Sequence, residues 1–94
     1  MADRSVRRTR PGTIAIRLFA TAREAAGTSR IERETGPEGV VLRDLLRELA
    51  EQRPALAPIL RHSRFARNGA YVHGTGGRVR AGEELAIHPP YSGG

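Results

Sequence analysis

Cysteine is absent from this chain of 94 residues. A disulfide framework, a thiolate nucleophile and a metal site built on cysteine are therefore excluded. Long apolar runs are also missing, and no stretch approaches the ~20 apolar residues that a membrane-spanning helix needs. The N-terminus is charged but lacks the apolar segment of a secretion signal. These absences make the cytoplasm the expected location and predict no membrane association.

Lysine is absent as well, because all 16 basic residues are arginine. The chain therefore offers no lysine amine to which the C-terminus of another protein could be joined. Residues 1–12 hold four arginines against Asp3, a net charge of +3, and residues 13–94 hold twelve arginines against nine acidic residues, also +3. Residues 1–12 are predicted to form a disordered basic tail that precedes the folded domain.

Aromatic residues are scarce: the chain has two tyrosines, two phenylalanines and no tryptophan. Proteins that bind single-stranded nucleic acid combine basic grooves with aromatic rings on which the bases stack. No interleaving of basic and aromatic residues occurs here. The net charge of +6 is therefore expected to give nonspecific attraction at most, and no specific nucleic-acid partner is predicted.

The most regular alternation of apolar residues lies near the two ends of the chain. In residues 13–19, Ile14, Ile16 and Leu18 alternate with Ala15, Arg17 and Phe19. In residues 84–88, Leu85 and Ile87 face one way. A period of two indicates strands with one buried face. We expect these two strands to form the central pair of a sheet.

A leucine stripe follows the first third of the chain, at positions 42, 45, 46 and 49, with charged residues between the leucines. This spacing predicts an amphipathic helix, which ends before Pro54. Valines stand where a capping residue would be expected, so the N-cap is poor. A shorter helix is predicted over residues 20–27, with Thr21 able to cap its start and Gly27 ending it.

The remaining segments complete a mixed sheet. Residues 29–34 form a second strand, which should pair antiparallel with the first because few residues connect them. Asn68-Gly69 indicates a hairpin turn between two short strands at residues 65–68 and 70–73. Residues 54–62 are interpreted as a proline-punctuated connection. The predicted fold class is α+β, with a mixed sheet packed on one long amphipathic helix, in a domain that covers residues 13–90.

Residues 89–94, which close the sequence, read Pro-Pro-Tyr-Ser-Gly-Gly. The prolines stiffen the exit from the last strand, and residues 91–94 are predicted to form a flexible tail. The two glycines could thread a narrow channel, and an extended chain from Pro89 to the terminal carboxylate reaches roughly 20 Å. Adenylation by a partner would activate that carboxylate, and a sulfur nucleophile could then convert it into a thiocarboxylate. Such a carrier needs no catalytic side chain.

Other candidate sites are weaker. His62, His73 and His88 have no metal-ligand spacing, so no metal site is predicted. Ser63 and Ser92 have no base placed to suggest a catalytic triad. The chain is therefore expected not to be an enzyme on its own, and to hold no bound cofactor.

Three segments of the sequence resemble one family. Residues 18–27, Leu-Phe-Ala-Thr-Ala-Arg-Glu-Ala-Ala-Gly, resemble the opening strand and helix of the molybdopterin synthase small subunit. Residues 80–94 resemble the C-terminal segment of that family, where an acidic turn precedes an apolar strand, Pro-Pro and a terminal diglycine. Asn68-Gly69 with Tyr71-Val72 is similar to its middle hairpin. Departures from the family pattern occur at Arg67, His88 and Tyr91.

The resemblance implies a ubiquitin-like β-grasp fold and a sulfur carrier for molybdenum cofactor biosynthesis. It implies three partners: a larger synthase subunit, an ATP-dependent adenylating enzyme, and a sulfur donor of the desulfurase or rhodanese type. ATP would be used by the adenylating partner, and Gly94 would carry the thiocarboxylate sulfur behind Gly93 as the threading residue. The implied partner-binding residues are Phe19, His88, Pro89, Pro90, Tyr91 and Ser92. A carrier for thiamine or cysteine synthesis and a ubiquitin-like protein modifier remain as alternatives.

Overall fold

The computed structural model describes residues 11–90. Within this range, seven strands and three α-helices follow one another, with a 3₁₀ turn at Pro54–Leu56 before the last of these helices. The strands are β1 (Thr13–Leu18), β2 (Arg30–Glu34), β3 (Val40–Val41), β4 (Arg64–Arg67), β5 (Ala70–Tyr71), β6 (Arg78–Val79) and β7 (Glu84–His88). The helices are α1 (Ala20–Ala26), α2 (Leu42–Gln52) and α3 (Ala57–Leu60). None of these helices is long and apolar enough to cross a membrane.

Five of the strands form one mixed sheet in the order β2-β1-β7-β4-β5. Strands β1 and β7 run parallel, with Leu18 opposite Ile87, and the other pairs are antiparallel. The predicted central pairing of the first and last strands is confirmed, as is the antiparallel pairing of β1 with β2. A second sheet, β3–β6, was not predicted, because two-residue strands are too short to show a period.

Helix α2 supplies one side of the hydrophobic core. Leu42, Leu45 and Leu49 are almost fully buried, and Leu46 is half-buried. These side chains join inward residues of β1 and β7 in one cluster. Each fully buried leucine contributes about 1.5–3 kcal/mol of hydrophobic stabilisation. As the valines predict, residue 41 provides no side-chain cap for α2.

Helix α1 differs from the prediction at its start. Its N-cap is Phe19, which makes no side-chain capping bond, and Thr21 lies exposed inside the helix. The prediction that Thr21 could cap was therefore wrong, because the chain enters the helix two residues earlier. The end is as predicted: Gly27 adopts a left-handed conformation (φ 80°), and its N–H donates to the Arg23 carbonyl at 2.9 Å.

The outer face of the sheet, opposite the leucine stripe of α2, is less exposed than alternation predicts. Ala15 points to this face yet is fully buried, and Ala66 is 5% exposed. Arg17 and Glu84 lie diagonally across β1 and β7, and their charged groups are 3.8 Å apart. Long side chains of this kind can cover small neighbouring residues with their aliphatic stems.

The proline-rich connection predicted at residues 54–62 is ordered in helical turns. Pro54 and Pro58 stand in the first turns of the 3₁₀ segment and of α3, where a missing N–H costs nothing. Leu56 is fully buried and Leu60 is 7% exposed. The prolines therefore start these short helices, and the leucines anchor them to the core.

The β4–β5 hairpin turns at Asn68 (φ 48°) and Gly69 (φ 85°), as the Asn-Gly pair predicts. Arg67, a departure from the family pattern, stands opposite Leu85 at an inward-facing position of β4. Its Nη1 donates to the Arg78 carbonyl at 2.9 Å. The aliphatic stem of Arg67 can thus cover the edge of the core while its guanidinium remains exposed.

One ion pair fastens β2 to α2. Arg33 Nε donates to Glu48 Oε1 at 3.0 Å, and Arg33 Nη2 donates to Glu48 Oε2 at 2.5 Å. The Arg33 hydrogen bonds, which outweigh the opposing effect of desolvation, hold the pKa of the Glu48 carboxyl below its ordinary value of 4.5. The fork geometry is the favourable one for an arginine–carboxylate pair.

Replacing Glu48 with glutamine should lower the free energy of unfolding by about 1 kcal/mol at about pH 7. Because folding lowers the pKa of Glu48, the unfolded chain binds more protons in acid, and the stabilisation is lost as pH falls through the folded pKa. The difference between parent and variant should therefore shrink below the ordinary pKa of 4.5. Urea denaturation across this pH range measures it. Glu24→Gln, on the exposed face of α1, is the matched control, and equal losses in both variants would contradict the prediction.

Candidate functional site

Three rings meet on the outer face of the sheet, at the end where β7 leaves it. Leu18 and Ile87 are opposite one another and point inward, so the next residues, Phe19 and His88, point outward side by side. Tyr71 on β5 points to the same face, because it stands opposite the outward-facing Ala66. We call Phe19, His88 and Tyr71 the aromatic row.

The rings of the aromatic row are in direct contact. Phe19 and His88 stack with their centroids 4.7 Å apart and their planes 5° from parallel. Tyr71 meets His88 edge to face, with centroids 5.9 Å apart and planes at 64°. Both arrangements are favourable for aromatic pairs, each worth about 0.5–1.5 kcal/mol beyond the area that they bury. The row is thus ordered before any partner arrives.

Arginines stand at both ends of the aromatic row. The Arg17 guanidinium carbon lies 5.1 Å from the centroid of Phe19, and that of Arg64 lies 4.8 Å from the centroid of Tyr71. Tyr71 is 53% exposed, and no other large hydrophobic residue within residues 11–90 is as exposed to solvent. The surface therefore offers a continuous apolar strip with positive charge at each end, a composition typical of protein interfaces.

The backbone at the end of β1 holds Phe19 in place. Phe19 is extended (φ −120°, ψ 155°), and its N–H donates to the Ile87 carbonyl at 3.4 Å. Ala20 then turns the chain into α1 with φ 51°, a left-handed conformation that costs alanine about 1 kcal/mol. This abrupt turn lets the backbone of Phe19 keep the extended conformation of β1, so that its ring stays on the outer face of the sheet.

The aromatic row adjoins the predicted exit of the tail. Pro89, half-buried, and Pro90, exposed, directly follow His88. The other predicted site residues, Tyr91, Ser92, Gly93 and Gly94, lie outside the described residues. The described part thus brings Phe19, His88 and Pro89 to one end of the sheet, although the sequence places Phe19 far from the other two.

Tyr71 was not among the predicted partner-binding residues. The sequence marked it only as part of the middle hairpin, and its membership of the aromatic row depends on the register of three strands. A signal was available: an Asn-Gly turn fixes the hairpin register, which places Tyr71 opposite Ala66. Arg17 and Arg64 were missed for the same reason, since each belongs to the site only through a neighbouring strand.

The described part of the chain contains no cluster of side chains that could bind a metal ion. No group of three or more His, Cys, Asp or Glu side chains lies together within residues 11–90. His62 and His73 are exposed and lie outside the aromatic row, whereas His88 is within it. The three histidines are therefore not brought together by the fold.

Comparison with known proteins identifies the family of this chain. The chain matches the ThiS family over residues 16–94. It belongs to that family. The molybdopterin synthase sulfur carrier subunit of Chlamydomonas reinhardtii is 37% identical over 82 residues, which cover 86% of this chain and 98% of that protein. The predicted resemblance to sulfur carriers of this kind is thereby confirmed for this ThiS-family chain.

Solved structures confirm the β-grasp fold of this ThiS-family member. The crystal structure of SAMP1 from Haloferax volcanii has a TM-score of 0.74 and 31% identity, covering 88% of this chain and 100% of that one. A subunit in the complex of subunits 1 and 2 of molybdopterin-converting factor from Helicobacter pylori has a TM-score of 0.62 and 17% identity, covering 87% and 99%. The second likeness concerns the fold alone.

Proposed function

We propose that this ThiS-family protein is the sulfur-carrier subunit of a molybdopterin synthase and works through the carboxylate of Gly94. The observation that carries the proposal is the family match, which extends through Gly94. A relative that this chain covers over 98% of its length is named for that role. The aromatic row beside Pro89 supports it, because a carrier needs a docking surface close to the group that its partners modify.

The chemistry proceeds in two steps, both carried out by partners. A carboxylate oxygen of Gly94 attacks the α-phosphorus of ATP, pyrophosphate leaves, and an acyl adenylate forms. Sulfide attacks the acyl carbon, AMP leaves with the bridging oxygen, and a proton is released as the thiocarboxylate forms. If the sulfur arrives as a persulfide, an acyl disulfide forms first, and a thiol must reduce its S–S bond.

The chain's own residues would bind the partners and position the tail, and none of them would act as a catalytic group. Phe19, His88 and Tyr71 would bind a partner through apolar contact, while Arg17 and Arg64 would meet acidic groups around that contact. Pro89 and Pro90 would aim the tail away from the sheet, and side-chain-free Gly93 would pass a narrow channel. We accordingly propose that the protein is not an enzyme on its own and binds no cofactor.

Three partners follow from this chemistry. A larger synthase subunit would receive the loaded tail, an ATP-dependent adenylating enzyme would activate it, and a desulfurase or rhodanese-type protein would supply the sulfur. The word subunit in the name of the Chlamydomonas reinhardtii relative supports the first. We place the reaction in the cytoplasm, the location expected from the sequence.

Protein modification is a second candidate function. It is favoured by the structural neighbours from Haloferax volcanii, one of which is titled small archaeal modifier protein 1. A modifier would use the same adenylated terminus but transfer it to an amine. Because this chain has no lysine, it could not receive another copy on a lysine side chain, and copies could be joined to one another only through an α-amino group. Carriers for thiamine or cysteine synthesis would share the thiocarboxylate.

Intact mass spectrometry tests the proposal. The full chain is incubated with an adenylating enzyme of this family, ATP and sulfide, and omission of ATP is the control. A sulfur carrier should gain the mass difference between sulfur and oxygen, and the loaded chain with a larger synthase subunit should convert the pterin precursor. Conjugates with other proteins in place of the thiocarboxylate would favour the modifier, and an unchanged mass would contradict both.

A further inference from the structure

A groove of about 710 Å³ runs between α2 and the β4–β5 hairpin. Its floor is apolar, with Phe65 buried and Leu46, Ala50 and Val72 half-buried. Four arginines surround this floor, at positions 43, 47, 61 and 64. We call it the arginine groove. Its volume lies within the range of about 300–1,000 Å³ that is usual for binding clefts.

The charge of the arginine groove is one-sided. None of the residues that line it is an aspartate or a glutamate. Arg47 Nη2 donates to Asp44 at 2.8 Å, and Arg64 lies over Tyr71. The side chains of Arg43 and Arg61 are exposed and make no hydrogen bond or ion pair with any residue between 11 and 90. At least two positive charges therefore remain available to a ligand.

We propose that the arginine groove binds an acidic segment of a partner polypeptide, with apolar side chains on the floor and carboxylates against the arginines. The floor requires apolar groups, which a phosphate backbone does not offer. The rim requires negative charge, because four arginines converge on it without an acidic residue in the lining. A segment of leucine-like and glutamate-like residues satisfies both requirements.

The arginine groove is a second surface, distinct from the aromatic row but continuous with it. Tyr71 belongs to both, and Arg64, which lines the groove, lies over the Tyr71 ring. The aromatic row lies on the outer face of the sheet, whereas Leu46 and Ala50 place the groove along α2. A partner that covers the row could therefore extend an acidic segment around β5 into the groove. Binding in the groove needs no adenylation and no sulfur, so it can be tested apart from the carrier function.

The test uses the full chain and a synthetic peptide of alternating leucine and glutamate, blocked at both ends. Amide chemical shifts are recorded during titration. We expect shifts at Leu46, Val72 and Gly74 and an affinity that falls as salt is added. A peptide with glutamine in place of glutamate should bind about tenfold more weakly, because it keeps the apolar contacts and loses the charge.

Charge-reversal variants locate the binding. Arg43→Glu and Arg61→Glu should each weaken binding of the leucine–glutamate peptide by about fivefold to tenfold. Neither arginine has a side-chain partner among residues 11–90 to lose, and a glutamate at position 43 lies in the first turn of α2, where negative charge is favourable. Arg23→Glu, on the exposed face of α1, makes the same change of charge outside the groove and should not alter binding. Ala50→Gln should weaken binding by filling the floor while preserving the helix.

Several results would overturn the proposal. They are no binding up to about 1 mM peptide, equal binding of the glutamine peptide, or shifts confined to the aromatic row. Equal weakening by Arg23→Glu would show that only net charge matters. Tighter binding of a single-stranded oligonucleotide at the same amides, or a dimer that buries the groove in sedimentation, would assign the surface to another occupant.

Discussion

Deletion of Gly94 is expected to abolish thiocarboxylate formation while changing the free energy of unfolding by less than about 0.5 kcal/mol. The reason is a separation of roles along the chain. The core cluster includes residues of β1, α2 and β7, and its last residue along the chain is Ile87. The reacting group proposed for the carrier is the terminal carboxylate. Deletion leaves Gly93 with a carboxylate of its own, but one residue, roughly 3.5 Å of extended chain, short of the partner's nucleotide.

A bulky residue at Gly93 should have the same effect for a different reason. Gly93→Trp keeps the length of the chain and the carboxylate but would block the narrow partner channel that we propose for the tail. Misplacing a reacting group by about 1 Å can already reduce a rate a hundredfold, so sulfur gain by this variant should fall at least that far. Gly76→Trp is the matched control, because no atom lies within 4 Å of the position of a Cβ at Gly76.

Intact mass and thermal unfolding distinguish the outcomes of the tail experiment. Sulfur gain by the chain without Gly94, at the parental rate, would show that the reacting group lies elsewhere. A large fall in melting temperature in either tail variant would assign the tail a structural role. A loss of sulfur gain in Gly76→Trp as well would show that the assay responds to any added ring.

The elements that the sequence predicted well are those whose pattern repeats within one segment. The leucine stripe of α2 and the alternation in β1 and β7 each satisfy a period over at least five residues. Strands β3 and β6 have two residues each and are defined by their pairing with one another, so their sequences contain no periodic pattern that predicts a strand. Burial of Ala15 was likewise not predicted, because it involves residues of the neighbouring strands β2 and β7, which lie far from Ala15 in the sequence.

The candidate site also has parts that lie within one segment of the sequence and parts that depend on contacts between segments. The tail and its chemistry were inferred from one continuous segment and stay a prediction, because residues 91–94 lie outside the described residues. The aromatic row could be predicted only in part. Phe19 directly follows β1, Tyr71 lies on β5 and His88 on β7, and the register of these strands decides which rings meet. The arginine groove was not predicted at all. Its residues come from α2, the segment after α3 and the β4–β5 hairpin, and no spacing in the sequence links them.

Truncation of Phe19 to alanine should weaken binding of the larger synthase subunit by about thirtyfold, the effect expected when a central aromatic anchor of an interface is removed. Phe19 contacts both His88 and Arg17, so its loss also frees the other groups of this surface to move. Stability should fall by about 1–2 kcal/mol, because Phe19 loses its stacking on His88 but is only half-buried and lies outside the main core cluster. Titration calorimetry with the larger subunit measures the affinity.

Two conservative variants decide whether the ring itself matters. His88→Phe keeps a stacked ring at the centre of the aromatic row and should retain binding, and Tyr71→Phe removes only a hydroxyl. Parental affinity in Phe19→Ala would place the docking surface elsewhere. Equal losses in all three variants would indicate that polar groups of His88 and Tyr71 determine binding. A loss of affinity confined to Phe19→Ala would show that the Phe19 ring determines binding of the larger subunit. Sulfur gain with the adenylating enzyme, measured on the same variants, would show whether the aromatic row also binds that second partner.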